Sequence, residues 1–206
     1  VYTLALSLIF FYSLAQLNLL INYIKAQKKE DTSKIYDFSD PDQIPFVTIQ
    51  LPVYNELYVM ERLLDGIGKI QYPKDKLEIQ VLDDSTDESV EITSEKVREL
   101  AEMGFDISQI RRVDRVGFKA GALKEGMKNA KGEFLAIFDA DFLPQADFLL
   151  KTIPHFKDEK VGVVQTRWGH INRDYSLLTK MQAFALDAHF TIEQVGRDTK
   201  QHFINF

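Results

Sequence analysis

The stretch Phe134-Leu135-Ala136-Ile137-Phe138-Asp139-Ala140-Asp141 places five apolar residues directly before two aspartates. An uninterrupted apolar run of this length is typical of a strand that is buried on both faces in the middle of a parallel sheet. The aspartates then follow the carboxyl end of that strand, where parallel α/β sheets bind their ligands. We therefore predict an α/β domain with a mostly parallel sheet and a binding site at this edge.

On both sides of this strand, apolar segments alternate with segments of helical spacing. The predicted strands cover residues 46–51, 77–82, 110–113, 134–138 and 161–165, and the predicted helices cover residues 56–70, 88–103, 120–130, 148–156 and 176–195. Strands that alternate with helices indicate βαβ units with helices flanking the sheet. We place this domain over residues 46–206.

Composition excludes several classes of protein. The chain has 206 residues, which is enough for one α/β domain and a short appendage. A formal net charge of −6 argues against a general nucleic-acid binder. Because cysteine is absent, disulfide scaffolds and thiolate metal sites are excluded. The chain begins at Val1 rather than Met, and we expect it to be a fragment that is truncated on its C-terminal side.

Residues 1–24 are apolar and carry no charge. As a helix they would reach about 36 Å, against roughly 30 Å of hydrocarbon core, so we predict one transmembrane helix. Gln16, Asn18 and Asn22 give this helix a polar face, which suits packing against other helices in a membrane. The alternative is a signal peptide, but the apolar run is long and no small-residue cleavage site follows it.

Basic residues follow the predicted membrane helix. Lys25, Lys28 and Lys29 place the next domain in the cytosol by the positive-inside rule. Residues 25–45 are polar and contain two prolines, so we interpret them as a cytosolic linker. The expected protein is an integral membrane protein with its α/β domain in the cytosol.

Asp139 and Asp141 are candidate metal ligands. Two carboxylates spaced two residues apart at a strand end can face one cation, and Mg²⁺ or Mn²⁺ binds such oxygens together with substrate phosphates. The alternative is a solvated turn or a helix cap. The buried strand that precedes the pair favours the metal site.

Polar residues also follow the first two predicted strands. Asp83 and Asp84 can accept hydrogen bonds from a uracil imide N–H or from ribose hydroxyls, or one of them can cap the next helix. Tyr54 can stack on a base or pack in the core. Glu56 can contact the nucleoside or favour a helix N-terminus.

Lys119 is flanked by Gly117 and Gly121. Its ammonium group can pair with a diphosphate, while the glycines allow backbone to approach a ligand closely. The alternative is a solvated lysine in the first turn of a helix. That position is electrostatically unfavourable for a cation, which favours a bound anion nearby.

Four motifs in this order resemble a known family. They are Pro52-Val53-Tyr54-Asn55-Glu56, Asp83-Asp84-Ser85-Thr86-Asp87, Gly117-Phe118-Lys119-Ala120-Gly121-Ala122-Leu123 and Asp139-Ala140-Asp141. The sequence is similar to the cellulose synthase-like branch of glycosyltransferase family two, and within it to β-mannan and β-glucan synthase-like proteins. The resemblance implies a Rossmann-like GT-A fold. It also implies inverting transfer of a hexose from UDP-glucose or GDP-mannose to a growing β-linked polysaccharide or another acceptor.

The resemblance also implies roles for single residues. Asp83 and Asp84 match nucleoside-binding aspartates, and Lys119 matches the lysine near the diphosphate. Asp139 and Asp141 match the metal-binding pair, with Asp141 as the direct ligand of Mg²⁺ or Mn²⁺. The implied partners are a nucleotide-sugar donor, a glycan acceptor and the membrane.

Two elements of the family's pattern are missing. The general base of the family is an aspartate in a Thr-Glu-Asp motif, which this sequence lacks, so we expect it beyond Phe206 and name no catalytic residue here. The segment Gln165-Thr166-Arg167-Trp168 is one residue shorter than the family's Q-x-x-R-W motif, and we treat it as a look-alike. Trp168 can stack on a sugar or serve packing. We expect this fragment to bind a donor but not to transfer a sugar alone.

Two alternatives stay open from the sequence. The first is a binding-only homologue that has lost transfer activity. The second is a doubly wound signalling module, since receiver domains also combine an acidic pair, a further aspartate and a lysine. In receivers the lysine follows the phosphoacceptor aspartate, whereas Lys119 precedes Asp139.

Overall fold

The computed structural model describes residues 1–26, 40 and 43–198. The chain forms two compact units, whose described residues are 1–26 with 163–198, and 40 with 43–162. Lys28, Lys29, most of the predicted linker and residues 199–206 lie outside the described residues.

Eleven helices and strands are named in chain order, within the described residues. They are α1 (Tyr2–Ala26), β1 (Val47–Val53), α2 (Met60–Ile67), β2 (Leu77–Asp83), α3 (Ser89–Glu102), β3 (Asp106–Ile110), α4 (Phe118–Met127), β4 (Phe134–Ile137), α5 (Phe148–Thr152), α6 (Leu177–Ala188) and α7 (Val195–Asp198). Short 3₁₀ segments cover Lys74–Lys76 and Ile153–Lys157, and a π-helical segment covers His189–Gln194.

The sheet of the α/β unit has four strands in the order β3-β2-β1-β4, and every pair is parallel. This confirms the predicted parallel sheet with flanking helices. β1 and β4 are neighbours although two strands separate them in the chain, so the strand order reverses between them. Such a reversal opens a crevice at the carboxyl ends of the strands.

The two faces of the central strands differ in chemistry. On one face, Val47, Ile49 and Leu51 of β1 pack with the buried residues Leu63 and Leu64 of α2 in the apolar core. Burial of this apolar face is the main favourable contribution to folding of the unit.

The opposite face carries buried polar pairs. Thr48 donates to Glu78 at 2.6 Å, and Gln50 donates to Gln80 at 3.0 Å. Gly126 of α4 lies on these glutamines, where a Cβ atom would come within 2.6 Å of the Gln50 side-chain nitrogen. Because buried polar groups need partners, these cross-strand bonds keep the face compatible with burial under α4.

The predicted position of the 134–138 strand in the middle of the sheet is wrong. β4 lies at the edge of the described sheet, and Leu135 and Ile137 are 39% and 47% exposed. The predicted strand over 161–165 is also wrong, since those residues form no strand. Within the described chain, therefore, no strand covers the outer edge of β4. An apolar run by itself does not distinguish a central strand from an edge strand.

The bounds of one strand and one helix differ from the predicted bounds because of local structure. The strand predicted over 110–113 is β3, which pairs with β2 from Asp106 to Ile110 and alternates in exposure. The helix predicted from Glu56 begins at Met60, because Asn55 adopts a left-handed φ of 55° and Glu56 accepts turn bonds from Val59 and Met60.

In the other unit, α1 is the one described helix that is long and apolar enough to cross a membrane. Length and composition alone support this, and the membrane span stays a prediction. Of its polar residues, Gln16 donates to Glu193 at 3.5 Å, and Asn22 donates to Asn18 of the same helix at 3.2 Å; the predicted packing against other membrane helices stays a prediction. At Gly196 a Cβ atom would lie 2.7 Å from the carbonyl oxygen of Leu19, so small size permits this helix contact.

Gly132 is expected to be essential for the pairing of β4 with β1. Its N–H donates to the Thr48 hydroxyl at 2.8 Å, and an added Cβ would lie 2.3 Å from the Thr48 backbone nitrogen. Because backbone has to shift to admit the methyl group, Gly132→Ala should lower the free energy of unfolding by about 1–3 kcal/mol. Urea unfolding followed by circular dichroism measures this.

Gly162→Ala is the matched control for that substitution, because nothing lies within 4 Å of its Cβ position. Equal unfolding free energies for the two variants would contradict the packing argument.

Candidate functional site

The candidate site lies where β1, β2 and β4 end. The loops after these strands carry Tyr54, Asp84 and Asp139, and the segment between β3 and α4 carries further cations. Parallel strands bring their carboxyl ends to one edge, and β1 and β4 flank the reversal of strand order. The topology therefore gathers the loops that the sequence predicted to hold the ligand.

Asn55 ties the loop after β1 to the loop after β2. Its backbone N–H donates to the Ser85 hydroxyl at 2.9 Å, and its side-chain oxygen accepts from the Thr86 N–H at 2.9 Å. Asn55 makes these bonds from a left-handed backbone conformation, which asparagine tolerates better than most residues. The two loops are thus held in a fixed relation before any ligand binds.

Asp83 is 1% exposed and has both carboxylate oxygens occupied. One oxygen accepts from the Ser85 N–H at 2.9 Å and the other from the Gln109 side chain at 2.7 Å. In this state Asp83 shapes the loop, and its predicted contact with a nucleoside stays a prediction.

Asp84 is held by two arginines. Arg112 binds its carboxylate through two N–H groups, one of them at 2.9 Å, and the Nε of Arg115 lies 3.7 Å from it. The hydrogen bonds that Arg112 donates to Asp84 raise the pKa of Arg112 above its ordinary value. Because the folded-state pKa of Arg112 is the higher one, the contribution of its guanidinium charge to stability is lost only as the pH rises into strong alkali.

Tyr54 lies at the surface of the site rather than in the core. Its ring is 40% exposed, and the guanidinium carbon of Arg115 lies 3.2 Å from the ring centroid. The same carbon lies 5.3 Å from the ring of Phe118. A cation on an aromatic face is an attractive arrangement, so Tyr54 and Arg115 form one stacked unit.

Lys119 and Asp139 form an ion pair across the site, with side chains 53% and 36% exposed. Lys119 thus contacts one member of the predicted metal-binding pair, although about half of its side chain stays exposed. Asp141 is exposed and has no hydrogen-bond or ion-pair partner within the described part of the chain. Glu56 is half-buried just before α2, and only its carbonyl oxygen has a described hydrogen bond.

Asp139 and Asp141 fit a metal site that substrate phosphates complete better than a site built from protein side chains alone. Among the described residues, no group of three or more histidine, aspartate or glutamate side chains can hold a metal ion. Mg²⁺ and Mn²⁺ are commonly bound by one or two carboxylates together with substrate phosphates. Asp139 and Asp141 therefore fit a divalent ion that arrives with a diphosphate.

The glycines near Lys119 serve the loop itself. Gly117 has a left-handed φ of 75°, and a Cβ atom at Gly121 would lie 2.0 Å from the carbonyl oxygen of Val116. The same loop is fixed by Arg112, which donates to the carbonyl oxygens of Val116 and Phe118, both at 3.1 Å. Close backbone packing therefore explains these glycines without a ligand.

Sequence reasoning missed the arginines and the amides of the site. Arg111 donates to the Ser85 carbonyl oxygen at 2.7 Å, and Arg112 and Arg115 surround Asp84. One sequence feature could have indicated the arginines: three of them occur within five residues, between a strand and a helix. The chain also carries the acidic pair Asp83-Asp84, which needs cationic partners. Nothing in the sequence marked Asn55 as a partner of Ser85 and Thr86, or Gln109 as a partner of Asp83.

The look-alike segment around Trp168 belongs to the other unit. Arg167 forms an ion pair with Asp187, and the Trp168 ring packs 5.6 Å from the ring of Phe190. These contacts support the packing interpretation of Trp168.

Comparisons with known proteins show the family of the chain. Residues 48–206 match the family described as Glycosyl transferase family 2. Glucomannan 4-beta-mannosyltransferase 9 of Arabidopsis thaliana is 37% identical over 97% of this chain and 40% of its own length. Glucomannan 4-beta-mannosyltransferase 1 of Oryza sativa subsp. japonica is 42% identical over 79% of this chain and 32% of its own length. The chain thus spans less than half of these relatives.

A solved structure shares the fold. The mannosyltransferase PcManGT of Pyrobaculum calidifontis, determined in complex with GDP-Man and Mn2+, is 32% identical and aligns with a TM-score of 0.56 over 79% of this chain and 46% of its own. The parallel sheet and flanking helices are therefore a GT-A-like fold, as the motifs predicted. The chain belongs to glycosyltransferase family 2, and its motifs and relatives assign it to the cellulose synthase-like branch.

Proposed function

We propose that this chain carries the donor-binding part of a membrane-anchored, inverting β-mannosyltransferase that uses GDP-mannose and extends a β-linked polysaccharide. The observation that carries the proposal is the Lys119–Asp139 ion pair in a chain of this family; Asp141 and Tyr54 follow the two neighbouring strands between which the strand order reverses. The names of the plant relatives and the GDP-Man complex of PcManGT favour mannose over glucose as the sugar.

The diphosphate of the donor binds at the Lys119–Asp139 pair. Because both side chains are well exposed, Lys119 can leave Asp139 for the phosphate oxygens without a large change in burial. Asp139 and Asp141 are the residues that would hold Mg²⁺ or Mn²⁺ beside the diphosphate. The bound ion supplies neutralisation of the negative charge that grows on the departing nucleoside diphosphate.

The nucleoside binds beside Tyr54 and Asp84. A carboxylate has about four acceptor positions, so Asp84 keeps capacity for ribose hydroxyls while Arg112 holds it. Asp83 stabilises the same loop by accepting a hydrogen bond from the Ser85 N–H. Glu56 follows Tyr54 by two residues in the loop after β1. Because Asn55 fixes the relation of the two loops, these groups are in place before the donor arrives.

Transfer inverts the configuration at the anomeric carbon of the sugar. An acceptor hydroxyl oxygen attacks that carbon opposite the diphosphate, the bond to the diphosphate oxygen breaks, and the hydroxyl proton passes to a general base, for which we name no residue of this chain. The contribution of this chain is to bind and orient the donor. We propose that α1 anchors the domain on the cytosolic side, close to the membrane where the polysaccharide grows.

Asp141 should be required for metal-dependent nucleotide binding. Titration calorimetry of the chain in detergent should show GDP binding with Mn²⁺ or Mg²⁺ and much weaker binding with EDTA. Asp141→Asn should weaken binding in the presence of Mn²⁺ by about tenfold or more, because the substitution removes a charged ligand of the ion.

The control is Asp75→Asn, a change to an exposed aspartate in the 3₁₀ segment before β2. The proposal is wrong if a folded chain binds neither GDP nor UDP with any of these ions.

The sugar is tested on membranes that contain the complete protein. Incubation with radiolabelled GDP-mannose should give a polymer that a β-mannanase degrades, and UDP-glucose alone should give none. Label incorporated from UDP-glucose but not from GDP-mannose would contradict the proposed donor, and no incorporation from either would favour a binding-only homologue.

A further inference from the structure

Arg115 is not needed to neutralise the carboxylate beside it. Asp84 already receives two N–H groups from Arg112, whereas the closest approach of Arg115 is 3.7 Å. The Nε of Arg115 is buried and makes no hydrogen bond, and its terminal nitrogens have none with any described residue. Arg115 therefore keeps N–H groups that no described residue accepts, on a side chain that is 35% exposed.

The neighbours of Arg115 hold it in place nevertheless. Its guanidinium carbon lies 3.2 Å from the ring centroid of Tyr54, and the loop behind it is fixed by the bonds from Arg112 to Val116 and Phe118. Phe118 keeps a left-handed φ of 47° in this loop, so the local backbone is well specified. The fixed backbone and the aromatic platform orient the guanidinium before a ligand binds.

Stacking on Tyr54 limits what this guanidinium can recognise. The N–H groups of arginine lie in the plane of the guanidinium, so a group that stacks on a ring keeps its donors free at the edge. Two parallel N–H groups match a ligand edge with two adjacent acceptors. Guanine offers such an edge through O6 and N7, which arginine binds through two hydrogen bonds. In uracil an N–H donor separates the two carbonyl oxygens.

We propose that Arg115 is a specificity-determining residue that donates two hydrogen bonds to O6 and N7 of guanine and thereby selects GDP-linked over UDP-linked donors. The inference rests on the proposed function, because it assumes that the nucleoside binds beside Tyr54. Tyr54 then has two roles. Its ring lies beside the base, and its face orients the Arg115 guanidinium that stacks on it.

The test compares nucleotide affinities rather than activity. Calorimetric Kd values for GDP and UDP with Mn²⁺ are measured on the detergent-purified chain and on Arg115→Ala and Arg115→Lys. The wild type should prefer GDP. Arg115→Ala should weaken GDP binding by about 5- to 150-fold, the range expected for one such base contact, and should change UDP binding little. Arg115→Lys should also lose most of the preference, because an ammonium group keeps the charge without the planar pair of donors.

Arg98→Ala is the matched control, since Arg98 is exposed on α3 and has no described ion pair. Circular dichroism of each variant establishes that the fold is kept. Because Arg115 approaches Asp84 only at 3.7 Å and Arg112 stays in place, the substitutions should preserve it.

Three outcomes would overturn the inference while leaving the proposed function intact. Equal losses of GDP and UDP affinity in Arg115→Ala would indicate a phosphate contact. Tighter binding of both nucleotides would indicate that Arg115 blocks the site. A wild type that binds GDP and UDP equally would have no preference for Arg115 to confer. Absence of binding to either nucleotide would instead refute the proposed function.

Discussion

Parallel pairing of β1 with β2 on one side and with β4 on the other determines where the polar loops of this protein meet. The pairing requires one apolar face toward α2 and a second face whose polar groups bond to one another under α4. Once β1 lies between β2 and β4, Tyr54, Asp84 and Asp139 have to emerge at the same edge. The location of the site is therefore a consequence of strand order, and the hydrogen bonds within the loops position its side chains.

Charge balance is the second organising feature of the site. Several acidic groups converge there, and like charges in one place are unfavourable without partners. Arg112 balances Asp84, and Lys119 balances Asp139. The two pairs differ in burial: Asp84 and Arg112 are mostly covered, whereas Lys119 and Asp139 are well exposed. The covered pair suits a permanent part of the loop, and the exposed pair suits contacts that a diphosphate and a cation exchange during binding.

Much of the α/β unit was predictable from local pattern. The strands β1, β2 and β4 and the helix α3 lie close to their predicted positions, because apolar runs and helical spacing report burial directly. The edge position of β4 and the absence of a strand over 161–165 were not predictable, because an apolar run does not show how many neighbours a strand has. The polar layer of Thr48 and Gln50 was also hidden, since its stability depends on partners thirty residues away in sequence.

The sequence by itself determined which chemical groups follow each strand, the apolar character of α1 and, through four motifs in order, the family. These features are local, so spacing and residue type are sufficient to identify them. Tertiary structure decided which charges are paired. It buried Asp83, clamped Asp84 with Arg112, joined Lys119 to Asp139 and stacked Arg115 on Tyr54. These contacts join residues that lie twenty or more positions apart, and only the packing of parallel strands side by side brings such residues together.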